Sequence, residues 1–268
     1  NHMNKNAFLL VETTVPPGTC EHIIIPEIRK TLIARSIPSD KFYLAHSYER
    51  VMPGKSYFNS IKNYWRVYAG LNKQSEKKCK IFLETIINTD KYPLTKLNNL
   101  RASELSKIME TTFRASSIAL MDEWGKFSKK IGVDLFSVVD AIKLRPTHKS
   151  IMYPGLGVGG YCLTKDPLFG EIAAKKIFKL KKTTFPVSRK AVEINNKMPL
   201  HAIDILLDKF DDNINGVNIL LLGVAYKSEV GDTRYSPSEI FYKSALKKGA
   251  NIDCHDPYLD YWKEIKLN

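Results

Sequence analysis

Residues 153–167 read Tyr-Pro-Gly-Leu-Gly-Val-Gly-Gly-Tyr-Cys-Leu-Thr-Lys-Asp-Pro, and the rest of the chain is organised around this stretch. Four glycines in six positions allow positive φ angles and close approach of a ligand. If a helix starts near Cys162, its positive end favours the thiolate, and Lys165 adds further positive charge. The pattern therefore predicts a nucleophilic thiol. The alternative is a glycine-rich turn followed by a buried structural cysteine.

Length and composition limit the class of protein. The chain has 268 residues, of which 44% are hydrophobic, so it can form two ordinary domains or one large one. No apolar run reaches the roughly 18 residues that a membrane span needs. Residues 1–3 look like a cloning remnant, and no secretory signal follows. The four cysteines are widely spread, which argues against disulfides and a zinc site and predicts a reducing cytoplasm: Cys20, Cys79, Cys162 and Cys254.

The net charge of +13 has two interpretations. A strongly basic chain can be a nucleic-acid-binding module, and steeply salt-dependent binding to random duplex would support that hypothesis. The lysines are scattered, however, and no basic motif is interleaved with aromatic residues. The charge therefore favours an anionic substrate such as a pyrophosphate, with no nucleic-acid partner.

In the first third of the chain, short apolar runs alternate with helical patterns. Strands are predicted at residues 6–11, 41–45 and 64–69, and helices at 20–36 and 72–89. The second helix is expected to group Ile81, Phe82, Thr85 and Ile86 on one face. Strands that alternate with helices predict an α/β fold with a parallel sheet.

A long helix is predicted from about residue 101 to residue 131, because apolar residues recur there at helical spacing without a proline. Gly132 is placed to end it, and Asp134 to cap the next helix. Further helices are predicted at 168–181 and 186–208. A strand at 218–222, a helix that begins with a capping box at Ser236 and Glu239, and a strand at 252–255 form a βαβ unit of a second Rossmann-like domain.

The cysteine stretch resembles the catalytic-cysteine loop of the nucleotide-sugar dehydrogenases, the UDP-glucose/GDP-mannose dehydrogenase family. Other segments follow in the family's order, so that five collinear matches cover most of residues 8–257. Besides the cysteine stretch, the other four matches are Thr-Thr-Val-Pro-Pro-Gly at 13–18, Glu-Arg-Val-Met-Pro-Gly at 49–54, Ala-Ser-Glu-Leu-Ser-Lys at 102–107, and Gly-Val-Ala-Tyr-Lys at 223–227 taken together with Asp-Thr-Arg-Tyr-Ser-Pro at 232–237.

The resemblance implies a domain organisation. It predicts a remnant of an NAD-binding domain at residues 4–92, a central helical domain with the cysteine loop at 93–196, and a partial UDP-sugar-binding domain at 197–268. The family's G-x-G-x-x-G turn is absent, so we expect the chain to begin partway through the first Rossmann-like domain. In the family the long helix joins the two domains and helps form a dimer, which predicts a homodimer here.

The resemblance also implies catalytic roles. Cys162 matches the nucleophile that forms a thiohemiacetal and then a thioester. Lys107 matches an active-site lysine, which either stabilises an oxyanion as a cation or acts as a base. Asp166 matches the aspartate that positions the hydrolytic water. Thr111 stands where the family has asparagine, and Glu49 matches a family acid, although Tyr48 replaces the usual proline before it.

The remaining site residues are predicted to bind ligands. For the cofactor, NAD, these are Thr14, Glu49 and Lys165. For the nucleotide sugar they are Lys227, Arg234, Gly159 and Arg145, with His148 beside the last. The alternative interpretation is that Lys227 and Arg234 are surface cations without a binding role.

The resemblance therefore predicts NAD-dependent oxidation of a UDP-sugar C6 alcohol to the uronic acid for cell-surface polysaccharide. The Glu49–Gly54 segment and the Arg-Pro-Thr-His lead-in at 145–148 favour a UDP-N-acetylhexosamine over UDP-glucose or GDP-mannose. The alternative is a truncated, catalytically inactive fragment that retains the dimer core and part of the nucleotide-sugar site.

Overall fold

A computed structural model describes residues 2–267. It divides into two compact units. The first comprises the chain up to Glu110 together with Leu168–Phe185, and the second comprises Thr111–Pro167 and the chain from Pro186 onward. The predicted three-domain boundaries stay a prediction.

The helices and strands alternate through most of the chain, as the α/β prediction requires. In chain order the strands are β1 (Ala7–Val11), β2 (Phe42–His46), β3 (Val67–Gly70), β4 (Thr95–Lys96), β5 (Asn218–Leu222) and β6 (Asn251–His255). The α-helices are α1 (Ile25–Ala34), α2 (Tyr57–Lys62), α3 (Lys73–Glu84), α4 (Leu100–Lys130), α5 (Leu135–Lys143), α6 (Phe169–Ile172), α7 (Pro186–Lys209) and α8 (Pro237–Lys247).

The sheet of the first unit has the order β1-β2-β3-β4. Strand β1 pairs in parallel with β2, with Ala7 opposite Phe42. The expectation of a wholly parallel sheet is wrong, because β3 runs antiparallel to β2 with Ala45 opposite Gly70. The connection from β2 to β3 holds only the short helix α2 and returns to the sheet at the end where β2 finishes. Antiparallel strands are common near the edge of otherwise parallel sheets.

Helix α3 packs on this sheet through small residues, which corrects the predicted face. Its buried side chains are Ser75, Cys79 and Leu83, whereas Ile81 and Phe82 are exposed. The Ser75 hydroxyl accepts a hydrogen bond from the Leu44 backbone N–H at 3.2 Å. The helix backbone comes so close that a Cβ on Gly70 would lie 2.5 Å from the Glu76 nitrogen. Close packing therefore selects small residues over the larger apolar ones.

The long helix is confirmed as α4, with 31 residues, and so spans about 46 Å. Gly132 follows with a φ of 71°, and the Asp134 side chain caps α5 by accepting from the backbone N–H groups of Phe136 and Ser137. Both local signals are confirmed. In the second unit, the α4 side chains of Ile118 and Met121 are buried.

The second unit contains a two-stranded parallel sheet, with Asn218 opposite Asn251. Helices α7 and α8 pack on it through a core that includes Ile203, Ile214 and Phe241. This arrangement is the predicted βαβ unit. Within residues 2–267, no helix is both long enough and apolar enough to cross a membrane.

Buried His46 makes the stability of the first unit depend on pH. Burial, reinforced by nearby Arg66, lowers the pKa of His46 from 6.5 to about 4, and its Nδ1 lies 2.8 Å from the Ser103 hydroxyl. Between these two pKa values His46 is protonated in the unfolded chain but neutral in the folded chain. The free energy of unfolding therefore decreases as pH falls from about 6.5 towards 4. We expect the free energy of unfolding to drop about 3 kcal/mol more in the wild type than in His46→Gln between pH 7 and pH 4. Urea unfolding at both pH values measures this difference, and equal pH dependence in the two proteins would contradict it.

Candidate active site

The glycine loop of the second unit lies directly against the loop that follows β5. A Cβ on Gly159 would lie 2.3 Å from the Tyr235 carbonyl oxygen and 2.7 Å from the Tyr226 Cβ. The Gly160 backbone N–H donates to the Arg234 carbonyl at 2.9 Å. The glycines are therefore required by the contact between these two loops, and each loop fixes the position of the other.

Asn195 holds the same glycine loop from helix α7. Its side-chain oxygen accepts from the Val158 N–H at 2.8 Å, and its side-chain nitrogen donates to the Val158 carbonyl at 2.8 Å. Sequence reasoning missed this residue. The available signal was a polar side chain on the apolar side of a predicted helix, since a buried amide must find partners.

Cys162 is exposed on a turn that follows the glycines. The Asp166 backbone N–H donates to the Cys162 carbonyl at 2.9 Å, and the Thr164 hydroxyl donates to the Gly160 carbonyl at 2.8 Å. The condition for a helix start at the cysteine is not met, because the turn leads into a short 3-10 segment at Asp166–Leu168. The predicted helix at 168–181 is also shorter, as α6 and a following π-helical turn end at Ile177.

Asp166 is a buried carboxylate four residues after the cysteine. Its side chain is 1% exposed, and its Oδ1 lies 2.6 Å from the Lys165 ammonium. The positive charge of Lys165 is therefore paired with the Asp166 carboxylate. This pair places a carboxylate beside the cysteine turn.

The other three cysteines differ from Cys162. Burial raises the pKa of Cys20 far above its ordinary value, raises that of Cys79 to about 12, and raises that of Cys254. A thiol with a raised pKa is a poor nucleophile at neutral pH. Among residues 2–267, Cys162 is the one exposed cysteine.

In the first unit, the structure brings together Lys107 and Glu49. The Lys107 ammonium donates to the Glu49 backbone carbonyl at 2.8 Å and lies 3.6 Å from its carboxylate Oε1. Glu49 Oε2 also accepts from the Val51 backbone N–H at 2.5 Å. Thr14 is half-buried in the loop after β1. These three residues belong to the first unit, whereas the predicted catalytic residues Cys162, Asp166 and Thr111 belong to the second.

The predicted nucleotide-binding cations lie on the loop between β5 and α8. Lys227 is half-buried. Arg234 is exposed, lies 4.6 Å over the Tyr161 ring and pairs with Asp232 at 2.6 Å. The Asp232 hydrogen bonds come first among the causes that raise the pKa of Arg234. Arg234 therefore has an intramolecular anion that a phosphate must displace or join.

Two other features of this loop differ from expectation. The Asp256 carboxylate accepts from the backbone N–H groups of Val224 and Ala225, each at 3.0 Å. Ser236 caps α8 at the Ser238 N–H, but Glu239 pairs with Lys243 instead of closing a capping box. The Ser236 N–H is already used, because it donates to the Thr233 carbonyl at 3.0 Å.

The last predicted residues lie in different environments. Thr111 is buried on α4. Arg145 and His148 are exposed at the short 3-10 turn after α5. Thr111, Gly159, Lys165, Lys227 and Arg234 belong to the second unit together with Cys162 and Asp166.

These features define the class of protein, which is a two-unit α/β protein with a candidate thiol nucleophile. Its glycine-rich loop presents one exposed cysteine and is held against the loop of a βαβ unit. The chain belongs to the UDP-glucose/GDP-mannose dehydrogenase family. The family's central domain matches residues 101–197, and its UDP-binding domain matches residues 220–268.

Individual relatives agree with this assignment. The chain is 31% identical over 258 residues to the UDP-N-acetyl-D-mannosamine dehydrogenase of Methanocaldococcus jannaschii, covering 96% of this chain and 54% of the relative. The structure of a UDP-D-ManNAc dehydrogenase from Pyrococcus horikoshii matches with a TM-score of 0.79 at 31% identity, covering 96% of this chain and 58% of that one. An NDP-N-acetyl-D-galactosaminuronic acid dehydrogenase from Methanosarcina mazei Go1 matches with a TM-score of 0.81 at 26% identity, covering 97% and 56%. The chain thus spans little more than half the length of these relatives.

Proposed function

We propose that this chain carries the nucleotide-sugar site and the thiol nucleophile of an NAD-dependent UDP-sugar 6-dehydrogenase. The observation that supports this most is the contact between the cysteine loop and the loop of Lys227. Gly159 and Gly160 hold Cys162 next to the part of the chain that matches the family's UDP-binding domain. A sugar whose nucleotide is bound by that domain would present its far end towards such a thiol.

The proposed substrate is a UDP-N-acetylhexosamine. Lys227 and Arg234 supply cations for the pyrophosphate, with Arg145 as an outer cation, whereas Gly159 serves the contact between the two loops. Relatives named as UDP-N-acetyl-D-mannosamine dehydrogenases support the N-acetylated sugar, as does the Glu49–Gly54 segment. UDP-glucose is the alternative, since UDP-glucose 6-dehydrogenases are also similar, at 28% identity for that of Rickettsia bellii. GDP-mannose is the more distant alternative.

The proposed chemistry uses the thiol twice. The Cys162 thiolate adds to an aldehyde carbon, so that a carbon–sulfur bond forms and the carbonyl electron pair becomes an alkoxide. Lys107 stabilises that oxyanion, with Thr111 as a weaker donor than the family's asparagine. Loss of hydride from that carbon to NAD would give the thioester. Water oriented by Asp166 then attacks the thioester carbon, the carbon–sulfur bond breaks, and the products are the Cys162 thiolate, a carboxylate and two protons.

The residues of the first unit fit only the nicotinamide end of NAD. Thr14 and Glu49 lie beyond β1 and β2, and Lys165 belongs to the second unit. The helix start after β1 offers no place for a pyrophosphate, because the Glu104 carboxylate accepts from the Gly18 N–H at 2.5 Å and from the Cys20 N–H at 2.8 Å. Among the described residues, the helix start after β1 is therefore occupied by the Glu104 carboxylate.

That restriction keeps the second hypothesis open, namely a catalytically silent chain that still binds the nucleotide sugar. The two hypotheses differ in one simple observation. Reduction of NAD by this chain in the presence of a UDP-sugar would exclude the silent chain, whereas UDP-sugar binding without reduction would support it.

Alkylation of the four cysteines tests the site directly. We expect a mild thiol alkylator to label Cys162 at least about 100-fold faster than Cys20 or Cys79, because burial and raised pKa values protect those two. A UDP-N-acetylhexosamine should slow labelling of Cys162 about tenfold and leave Cys254 unchanged. Mass spectrometry of the digested chain gives all four rates.

The controls separate the parts of the proposal. Free N-acetylhexosamine lacks the nucleotide and should not protect Cys162. Lys227→Ala should abolish protection while leaving the unprotected rate of Cys162 within twofold. Labelling of Cys162 that no UDP-sugar or GDP-mannose slows would overturn the assignment of a nucleotide-sugar site.

We further propose that the chain forms a homodimer through the second-unit part of α4. Five large apolar side chains recur there at spacings of three, four and seven residues and are each more than half exposed: Phe113, Leu120, Trp124, Phe127 and Ile131. These side chains form an exposed apolar stripe on one helix, and contiguous exposed apolar surface marks an interaction site. A second copy of the same helix is an occupant of matching length and shape.

A further inference from the structure

Tyr48 is one of the residues at which this chain departs from the pattern that the family resemblance implies, which has proline before the acid at position 49. The structure gives this tyrosine a specific environment. Its side chain is 1% exposed, and its ring lies 5.4 Å from the Lys107 ammonium and 5.2 Å from the Arg50 guanidinium carbon. One buried ring therefore faces two cations, of which Lys107 is the proposed oxyanion stabiliser.

The Tyr48 hydroxyl connects the loop after β2 to helix α4. It donates to Glu110 Oε1 at 2.9 Å and accepts from Arg50 Nη2 at 3.0 Å. Arg50 also forms an ion pair with Glu110 and donates to the Trp65 carbonyl. Glu110 lies one helical turn after Lys107, so this network fixes the loop to the stretch of α4 that carries the lysine.

The contacts of the Lys107 ammonium include three that attract a cation. They are the Glu49 backbone carbonyl at 2.8 Å, the Glu49 carboxylate at 3.6 Å and the face of the Tyr48 ring. A carbonyl oxygen, a carboxylate and an aromatic face each attract a cation, and each stabilises a neutral amine much less. Of the two roles considered for Lys107, these contacts favour the cation over the base.

We propose that Tyr48 is a positioning residue, whose ring holds the cationic Lys107 ammonium against the Glu49 carbonyl and whose hydroxyl fixes that loop to α4. This inference rests on the proposed function for the importance of Lys107, but its geometry concerns the first unit alone. A proline at position 48 has no aromatic face and no hydroxyl. The chain therefore holds its lysine by a device that the family's proline cannot supply.

The test measures the reactivity of individual lysines. The chain is acetylated at pH 8 under limiting reagent, and mass spectrometry gives the rate at each lysine. Because loss of a desolvated cation–π contact frees the amine, we expect Tyr48→Met to raise the rate at Lys107 about fivefold. Tyr48→Phe keeps the ring and should leave that rate within twofold of the wild type.

The chain contains a matched control for this experiment. Lys78 lies 4.6 Å over the ring of Tyr43, in the same unit and outside the site. Tyr43→Met should leave the Lys107 rate unchanged, and Tyr48→Met should leave the Lys78 rate unchanged. A variant that merely loosens the fold would raise both rates together, and such a result would contradict a positioning role.

The outcomes also separate this inference from the proposed function. An unchanged Lys107 rate in folded Tyr48→Met overturns the positioning role even if a UDP-sugar protects Cys162. A fivefold rise with no protection of Cys162 supports the positioning role and counts against the nucleotide-sugar site. If Tyr48→Met does not fold, Tyr48→Phe decides: a fivefold rise there assigns Lys107's position to the hydroxyl network and overturns the role of the ring.

Discussion

Replacement of Glu104 by alanine is expected to destabilise the first unit by about 4 kcal/mol. Glu104 is 1% exposed and accepts from the backbone N–H groups of Gly18 and Cys20, which begin the helical segment after β1. Removing the carboxylate leaves two buried amides without acceptors, each costing about 1–3 kcal/mol, and adds a cavity. Burial raises the pKa of Glu104, which shows that the buried carboxylate carries a desolvation cost. The alanine substitution removes that cost, but the loss of the hydrogen bonds has the larger effect.

Urea unfolding followed by circular dichroism measures this loss. Hydrogen exchange of a peptide spanning residues 12–24 locates it, because the amides of Gly18 and Cys20 should exchange at least about 100-fold faster in the variant. Glu123→Ala is the matched control, since Glu123 is an exposed glutamate on the same helix and should change stability by less than about 0.5 kcal/mol. A loss below about 1 kcal/mol in Glu104→Ala would show that water or a shifted backbone satisfies the amides.

Trp124→Glu is expected to convert the proposed homodimer into a folded monomer. Trp124 is 51% exposed near the middle of the apolar stripe on α4, and its ring packs edge-on against Phe127. Tryptophan is the commonest kind of interface anchor, and a carboxylate buried opposite its own symmetry mate would be repelled. We expect the dimer dissociation constant to rise at least about 100-fold.

Sedimentation velocity over a range of concentrations measures that constant, with circular dichroism to show that the variant is folded. Phe58→Glu is the matched control. Phe58 is even more exposed, at 77%, but lies on α2 in the first unit and is not part of the stripe. Loss of the dimer in both variants would assign the effect to net charge, and a wild-type chain that sediments as a monomer would refute the dimer.

Much of the fold could be predicted because its signals are local. The apolar spacing along α4, Gly132 after it and Asp134 before α5 each act within a few residues, and all are confirmed. The family assignment was also predictable, since the cysteine stretch and the segments around Thr14, Glu49 and Lys227 occur in a fixed order.

The failed predictions depend on contacts between distant residues. The buried face of α3 is set by close approach to Gly70, which favours Ser75 and Cys79 over Ile81. The direction of β3 depends on the path of the preceding loop. Glu239 meets Lys243 because the Ser236 amide already has an acceptor at Thr233. No pattern in sequence spacing reports these competitions.

The candidate site residues could be predicted from the sequence more readily than the residues that hold their loops in place. Cys162 and Asp166 were found through the resemblance, whereas Asn195 and Asp256 were not. Both act on backbone N–H groups of loops far away in sequence, so neither has a local signature. The roles assigned to all of the candidate site residues stay predictions, as does the cytoplasmic location.

Asp256 gives the second unit an internal substitute for phosphate. In nucleotide-binding βαβ folds the first amides beyond the strand are the usual seat of a ligand's negative charge. Here that seat is already filled by a carboxylate, whose backbone hydrogen bonds help hold its pKa below the ordinary value against the opposing effect of burial. In the proposed function, a nucleotide diphosphate would therefore bind further along the loop, through side-chain cations such as Lys227. Its hold on the protein then depends on mobile point charges rather than fixed dipoles, and so responds strongly to ionic strength.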